Sequence, residues 1–129
     1  MPHLAPVQQF LTPENLDSCL EIIEREGEAA LVIAGGQAIM PILKTRGLRP
    51  SSLVDLSRVA ELKAREVSPD GWLTVGAMTR HREIWGDGEI RGRWSALADA
   101  ASNIGDRQVQ NRGTIGGNIV FGSVITDMK

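Results

Sequence analysis

Cysteine, histidine and lysine are scarce in this 129-residue chain, and each scarcity removes a class of function. The single cysteine, Cys19, excludes an intrachain disulfide and cannot by itself ligate an iron–sulfur cluster or a thiolate zinc site. The only imidazoles are His3, in a tail expected to fray, and His81, which argues against a two-histidine metal site. The lysines are Lys44, Lys63 and Lys129, and none follows a Gly-x-x-x-x-Gly pattern, so a P-loop is excluded. There is no basic surplus: 14 Lys+Arg stand against 16 Asp+Glu, which removes the electrostatic case for a general nucleic-acid binder. Long apolar runs are missing too. The longest, residues 29–34, falls far short of the roughly 20 needed to span a bilayer. Met1-Pro2-His3-Leu4-Ala5-Pro6 has neither the basic nor the apolar region of a signal peptide. These absences together point to the cytoplasm.

What is present suits a globular domain, or one piece of a larger subunit, with 42% hydrophobic and 23% charged residues. Residues 8–11 read as a strand. Thr12-Pro13-Glu14 offers a cap, a proline at the first helical position and an acid in the first turn, with Leu16, Leu20 and Ile23 at helical spacing and Gly27 as terminator. The run 29–34, closed by Gly35-Gly36, suits a strand buried on both faces of a parallel sheet, and residues 52–56 suit another. A short helix is expected between them at residues 39–45. Beyond residue 57 the pattern changes. Residues 64–68 and 72–76 around Pro69-Asp70-Gly71 predict an antiparallel hairpin, Thr79 caps a helix through Trp85, and residues 95–104 form another helix. The expected division is therefore 1–57, a small α/β lobe, and 58–129, the start of a second lobe with an antiparallel sheet.

Glycine is abundant, at fourteen residues, against an average usage of roughly 7%. Two clusters matter. Ala34-Gly35-Gly36-Gln37-Ala38 follows a buried strand, and Thr114-Ile115-Gly116-Gly117-Asn118 sets a hydroxyl and an amide beside two glycines. Glycines let backbone N–H groups approach a phosphate. They equally serve tight turns that need a positive φ, and the residues alone leave both readings open. Gly86-Asp87-Gly88 is not a dinucleotide fingerprint, since Arg91 stands where the third glycine belongs. His81, between Arg80 and Arg82, reads as a surface or packing histidine, and Cys19 as a small buried hydrophobe. Trp72, Trp85 and Trp94 read as core or interface anchors.

The clusters belong to longer stretches. Ala34-Gly35-Gly36-Gln37-Ala38-Ile39-Met40-Pro41, Val54-Asp55-Leu56, Gly76-Ala77-Met78-Thr79-Arg80-His81 and the segment from Ile104 through Arg112-Gly113-Thr114-Ile115-Gly116-Gly117-Asn118 occur in this order. Together they resemble the FAD-binding medium subunit of molybdenum hydroxylases, the carbon monoxide dehydrogenase and xanthine dehydrogenase type, over nearly the whole chain. The resemblance implies an α+β, two-lobed fold of the vanillyl-alcohol-oxidase-like type, with FAD between the lobes. It also implies FAD contacts from Ala34, Gly35, Gly36, Gln37, Ala38 and Ile39, from Thr114, Ile115, Gly116, Gly117 and Asn118, and from Asp127, which would touch the flavin sugar. The implied function is an oxidoreductase subunit that takes electrons from [2Fe–2S] clusters on a small subunit, fed by a molybdenum-binding large subunit, and delivers them to NAD, a quinone or another acceptor. No catalytic residue and no metal ligand is expected on this chain, because the flavin carries the redox chemistry. The alternative is an assembly module that keeps the fold without productive FAD binding. Family members continue beyond the position of Lys129, so the second lobe is expected to be incomplete here and FAD to be held less tightly.

Overall fold

The computed structural model of the chain describes residues 9–35, 51–105 and 107–121. Strands β1 (Gln9–Leu11), β2 (Ala30–Ile33) and β3 (Ser52–Asp55) form a parallel sheet in the order β1-β3-β2. Phe10 and Leu31 flank Leu53, while Leu11 and Val32 flank Val54. Parallel strands need a covering layer, and helix α1 (Leu16–Glu26) supplies one. Cys19, Val54 and Val59 are buried together, with Leu16, Ile22 and Ile23 packed around them.

Two details of α1 differ from the expectation. The cap is Asn15, whose side chain accepts from the Ser18 N–H at 2.8 Å, and not Thr12. Leu16 can then open the helix, its own N–H taken by Glu61 Oε1 at 2.9 Å. The inward position beside Leu16 and Ile23 is Cys19, leaving Leu20 55% exposed. Gly27 ends the helix as expected, at φ 57°. The short helix expected at 39–45 lies outside the described residues.

The hairpin pairs β4 (Arg65–Val67) with β5 (Leu73–Val75), Arg65 opposite Val75. Its turn needs Gly71, which sits at φ 92°. Behind it, helices α2 (His81–Gly86), α3 (Gly88–Arg93) and α4 (Ser95–Ser102) bury Ile84, Ile90, Ala98 and Ala101 against Leu73, Val75, Trp85 and Trp94. Each fully buried isoleucine contributes about 2 kcal/mol. Trp85 and Trp94 are thus core residues, while Trp72 is 73% exposed at the hairpin. Thr79 does not cap α2. The Arg80 N–H is instead held by Glu83 Oε1 at 3.1 Å, and Thr79 belongs to the preceding turn, its N–H bonded to Gly76 O. Asp87 caps α3 through the Glu89 and Ile90 N–H groups, so Gly86-Asp87-Gly88 is a helix junction.

Two helices that the sequence pattern did not predict complete the described chain: α5 (Arg107–Arg112) and α6 (Ile115–Phe121). Among the described residues no helix is long and apolar enough to cross a membrane, and no group of three or more His, Cys, Asp or Glu could hold a metal ion.

Candidate functional site

Ala34 and Gly35 leave β2 at the carboxyl end of the parallel sheet, the edge at which α/β sheets take up ligands. The α5–α6 connection lies directly against them. A Cβ on Gly35 would stand 2.0 Å from the Arg112 carbonyl oxygen and 3.1 Å from the Gly113 Cα. One on Gly117 would stand 3.4 Å from the Ala34 Cβ. The two glycine clusters, remote in sequence, therefore meet.

The second cluster is held by the turn that precedes α2. Arg80 and Thr114 form an antiparallel bridge, the His81 N–H donates to Gly113 O at 3.1 Å, and the Ile115 N–H donates to Thr79 O at 3.0 Å. The Gly116 N–H donates to Ala77 O at 2.9 Å, and a Cβ on Gly116 would reach within 2.6 Å of the Ala77 Cβ. Gly76 packs as tightly on Leu62, where a Cβ would lie 2.1 Å from the carbonyl oxygen. This explains the small residues of Gly76-Ala77: they admit a backbone on either side.

The geometry revises the reason for the glycines. Gly35 and Gly116 are required by chain packed on chain. The N–H groups of Ile115, Gly116, Gly117 and Asn118 already donate to Thr79 O, Ala77 O, Thr114 Oγ1 and Thr114 O. What residues 115–118 have left to offer a ligand is side-chain chemistry. Asn118 Oδ1 is buried without a partner among the described residues, an arrangement that is costly unless a donor arrives. The residues fit FAD, whose hydroxyl groups supply such donors, through the Asn118 amide and the close approach of Ala34 to Gly117. Gly36, Gln37, Ala38, Ile39 and Asp127 lie outside the described residues.

Other polar groups serve the scaffold. Gln110 is buried and donates from Nε2 to Ser102 O at 2.9 Å. Burial pushes the Cys19 thiol up, which leaves it a poor nucleophile, and holds the His81 imidazole below its ordinary range. Thr79 lines a separate cleft of about 170 Å³ with Lys63, Arg65, Val75, Glu83, Asp87 and Ile90. Arg65 there is already paired with Asp87 at 2.8 Å and Glu89 at 2.6 Å. Sequence reasoning assigned no part to Arg112, Gly113 or Ala77. The only signal for them was their place in the longer stretches around the glycines.

The mixed sheets and helices, joined where two glycine segments meet, are those of an α+β FAD-binding fold. The chain belongs to the family described as FAD binding domain in molybdopterin dehydrogenase, which matches residues 6–129. It is 33% identical over 120 residues to the carbon monoxide dehydrogenase medium chain of Hydrogenophaga pseudoflava, covering 92% of this chain and 41% of that one. It is 33% identical over 123 residues to the 6-hydroxypseudooxynicotine dehydrogenase complex subunit alpha of Paenarthrobacter nicotinovorans, covering 95% and 41%. Among solved structures, carbon monoxide dehydrogenase from Oligotropha carboxidovorans superposes with a TM-score of 0.92 at 28% identity, covering 98% of this chain and 44% of that one. The chain thus spans less than half the length of these relatives.

Proposed function

We propose that this chain binds FAD where Ala34 and Gly35 meet the segment 112–118, and that it forms the flavin-binding part of an oxidoreductase of the molybdenum hydroxylase type. The single observation that carries the reading is the close approach of Ala34 to Gly117, next in sequence to Asn118, whose Oδ1 is buried without a partner among the described residues. In this reading residues 1–57 and 58–129 are the two lobes, and Gly36, Gln37, Ala38, Ile39 and Asp127 complete the site. When bound, FAD supplies the redox chemistry, taking electrons from [2Fe–2S] clusters on a partner and passing them to NAD, a quinone or another acceptor. The chain's own residues bind and orient. Gly35 and Gly116 set the spacing of the two segments, and Asn118 accepts a hydrogen bond from the cofactor. The partners are a molybdenum-binding large subunit and an iron–sulfur small subunit.

Titration of the full chain with FAD, followed by flavin fluorescence and thermal stability, tests this. Saturable binding that FMN does not match is expected, because FMN lacks the adenylate half of the dinucleotide. Binding equally good for FMN would overturn the reading of this junction as a dinucleotide site. Absence of binding, alone and with both partner subunits present, would favour the assembly-module reading, which the occupied N–H groups of residues 115–118 also support.

A further inference from the structure

One buried side chain at the junction has no part in the reading above. His81 opens α2 and is 1% exposed. Its N–H is bonded to Gly113 O, and its ring faces Gly113 so closely that a Cβ there would stand 3.1 Å from Cδ2 and 3.3 Å from Nε2. The neighbouring Arg112 presents the carbonyl on which Gly35 is packed. The contacts run in series: His81 on Gly113, then Arg112 on Gly35. Among the described residues His81 Nδ1 is itself buried without a partner. A neutral ring can leave that nitrogen as an acceptor, whereas the imidazolium makes both nitrogens donors and adds a charge.

We propose that His81 is a positioning residue whose uncharged ring props the Gly113 backbone and so holds the second FAD segment against Gly35, and that its protonation loosens this junction and weakens flavin binding. The inference rests on the FAD reading given above.

Among the described residues no charged side chain is buried against the ring to offset an imidazolium. Arg80, Arg82 and Glu83, flanking His81 or on its own helix, are exposed, as are Arg112 on α5 and Asp99 on α4. On α3, Glu89, Arg91 and Arg93 are exposed, and the half-buried Asp87 is engaged by Arg65. Burial lowers the His81 value, disfavouring the charged ring. The opened junction therefore binds more protons than the closed one. Its stability is complete above the ordinary histidine value of about 6.5 and declines as pH falls through it towards the lower folded value.

Hydrogen exchange on the full chain at pH about 7.5 and about 5.5, corrected for intrinsic rates, tests the device alongside FAD affinity at each pH. The reporters are the Ile115 and Gly116 amides, with the Leu56 amide, bonded to Ile33 O in the first sheet, as control. In the wild type, junction opening rises and FAD affinity falls by up to roughly tenfold at the lower pH, while Leu56 is unchanged. In His81→Gln or His81→Phe, both neutral throughout, the dependence is lost. An unchanged dependence in either folded variant overturns the proposal. If neither variant folds, the wild type decides: selective opening at residues 115–116 supports it, and equal opening at Leu56 or none overturns it. If FAD binds at no pH, the flavin reading fails and with it the predicted effect on flavin, while the exchange data still decide whether His81 governs the junction.

Discussion

The carbonyl oxygen of Arg112 occupies the place where a side chain on residue 35 would begin: a Cβ on Gly35 would lie 2.0 Å from it. Because the obstacle is backbone, no rotamer change relieves it. Residue 35 must be glycine for the two sides of the junction to close.

Gly35→Ala should therefore separate them, at a cost of about 2 kcal/mol by the usual price of overpacking. Urea unfolding read by circular dichroism measures that loss, and flavin affinity should fall with it. Gly92→Ala is the control. Nothing lies within 4 Å of a Cβ there, on the exposed face of α3, so stability should rise by about 0.5–1 kcal/mol. Equal effects at the two positions would refute the packing argument.

Gly116 and Gly117 are adjacent in sequence and should behave differently. A Cβ on Gly116 meets the Ala77 Cβ at 2.6 Å and the Ala77 carbonyl oxygen at 2.7 Å. Gly116→Ala should destabilise by about 1–3 kcal/mol, with partial rescue by Ala77→Gly, since only the Cβ contact is then relieved. Gly117→Ala meets Thr114 Oγ1 at 3.0 Å and the Ala34 Cβ at 3.4 Å. Its main effect should be on FAD affinity, read by fluorescence titration.

Asn118→Ala removes a buried acceptor that has no partner in the described chain. Thermal unfolding without ligand should change little. FAD affinity should drop roughly tenfold, the worth of about one hydrogen bond. A variant that loses fold stability instead would show that the amide serves the scaffold.

Asp87 couples α3 to the hairpin. It accepts from the Glu89 and Ile90 N–H groups and from Arg65. Asp87→Ala should cost about 1 kcal/mol through the lost cap. Hydrogen bonds from Arg65 hold the Asp87 and Glu89 carboxyls below their ordinary values. The stability from this network is thus present above about pH 4 and is lost as pH falls below it. Asp87→Asn should keep most of the cap and flatten that part of the acid profile. Added salt should weaken the wild-type network, which lies at the surface.

Much of the fold is legible in short-range pattern. The apolar runs before Gly35 and at Leu53-Val54 mark parallel strands, and Pro69-Asp70-Gly71 marks the hairpin turn. Only the central strand is buried, however, because β2 lies at the edge of the described sheet with Val32 exposed, against the expectation of burial on both faces. The failures have physical causes. Glycine is a poor helix former, so Gly88 and Gly92 conceal α3 and Gly116-Gly117 conceal α6, where packing on Ala77 overrides propensity. Thr12 and Thr79 satisfy the local rule for a cap, yet Asn15 holds the better-placed oxygen and Thr79 is held by its turn. The glycine clusters stand out at once, but the purpose of Gly35 depends on Arg112, far along the chain. Local pattern cannot tell a glycine needed by a ligand from one needed by another stretch of backbone.

The strand order has a consequence for biosynthesis. β3 lies at the centre of its sheet, yet it leaves the ribosome after both strands it joins. Until Asp55 has emerged, β1 and β2 have no partner, and α1 lacks the Val54 floor on which it rests. Pairings of this long sequence separation form slowly. The nascent parallel sheet thus exposes two strands and an uncovered helix face, the state in which chaperones find their clients. Gly35 waits longer still, since the carbonyl that seals it arrives only with Arg112.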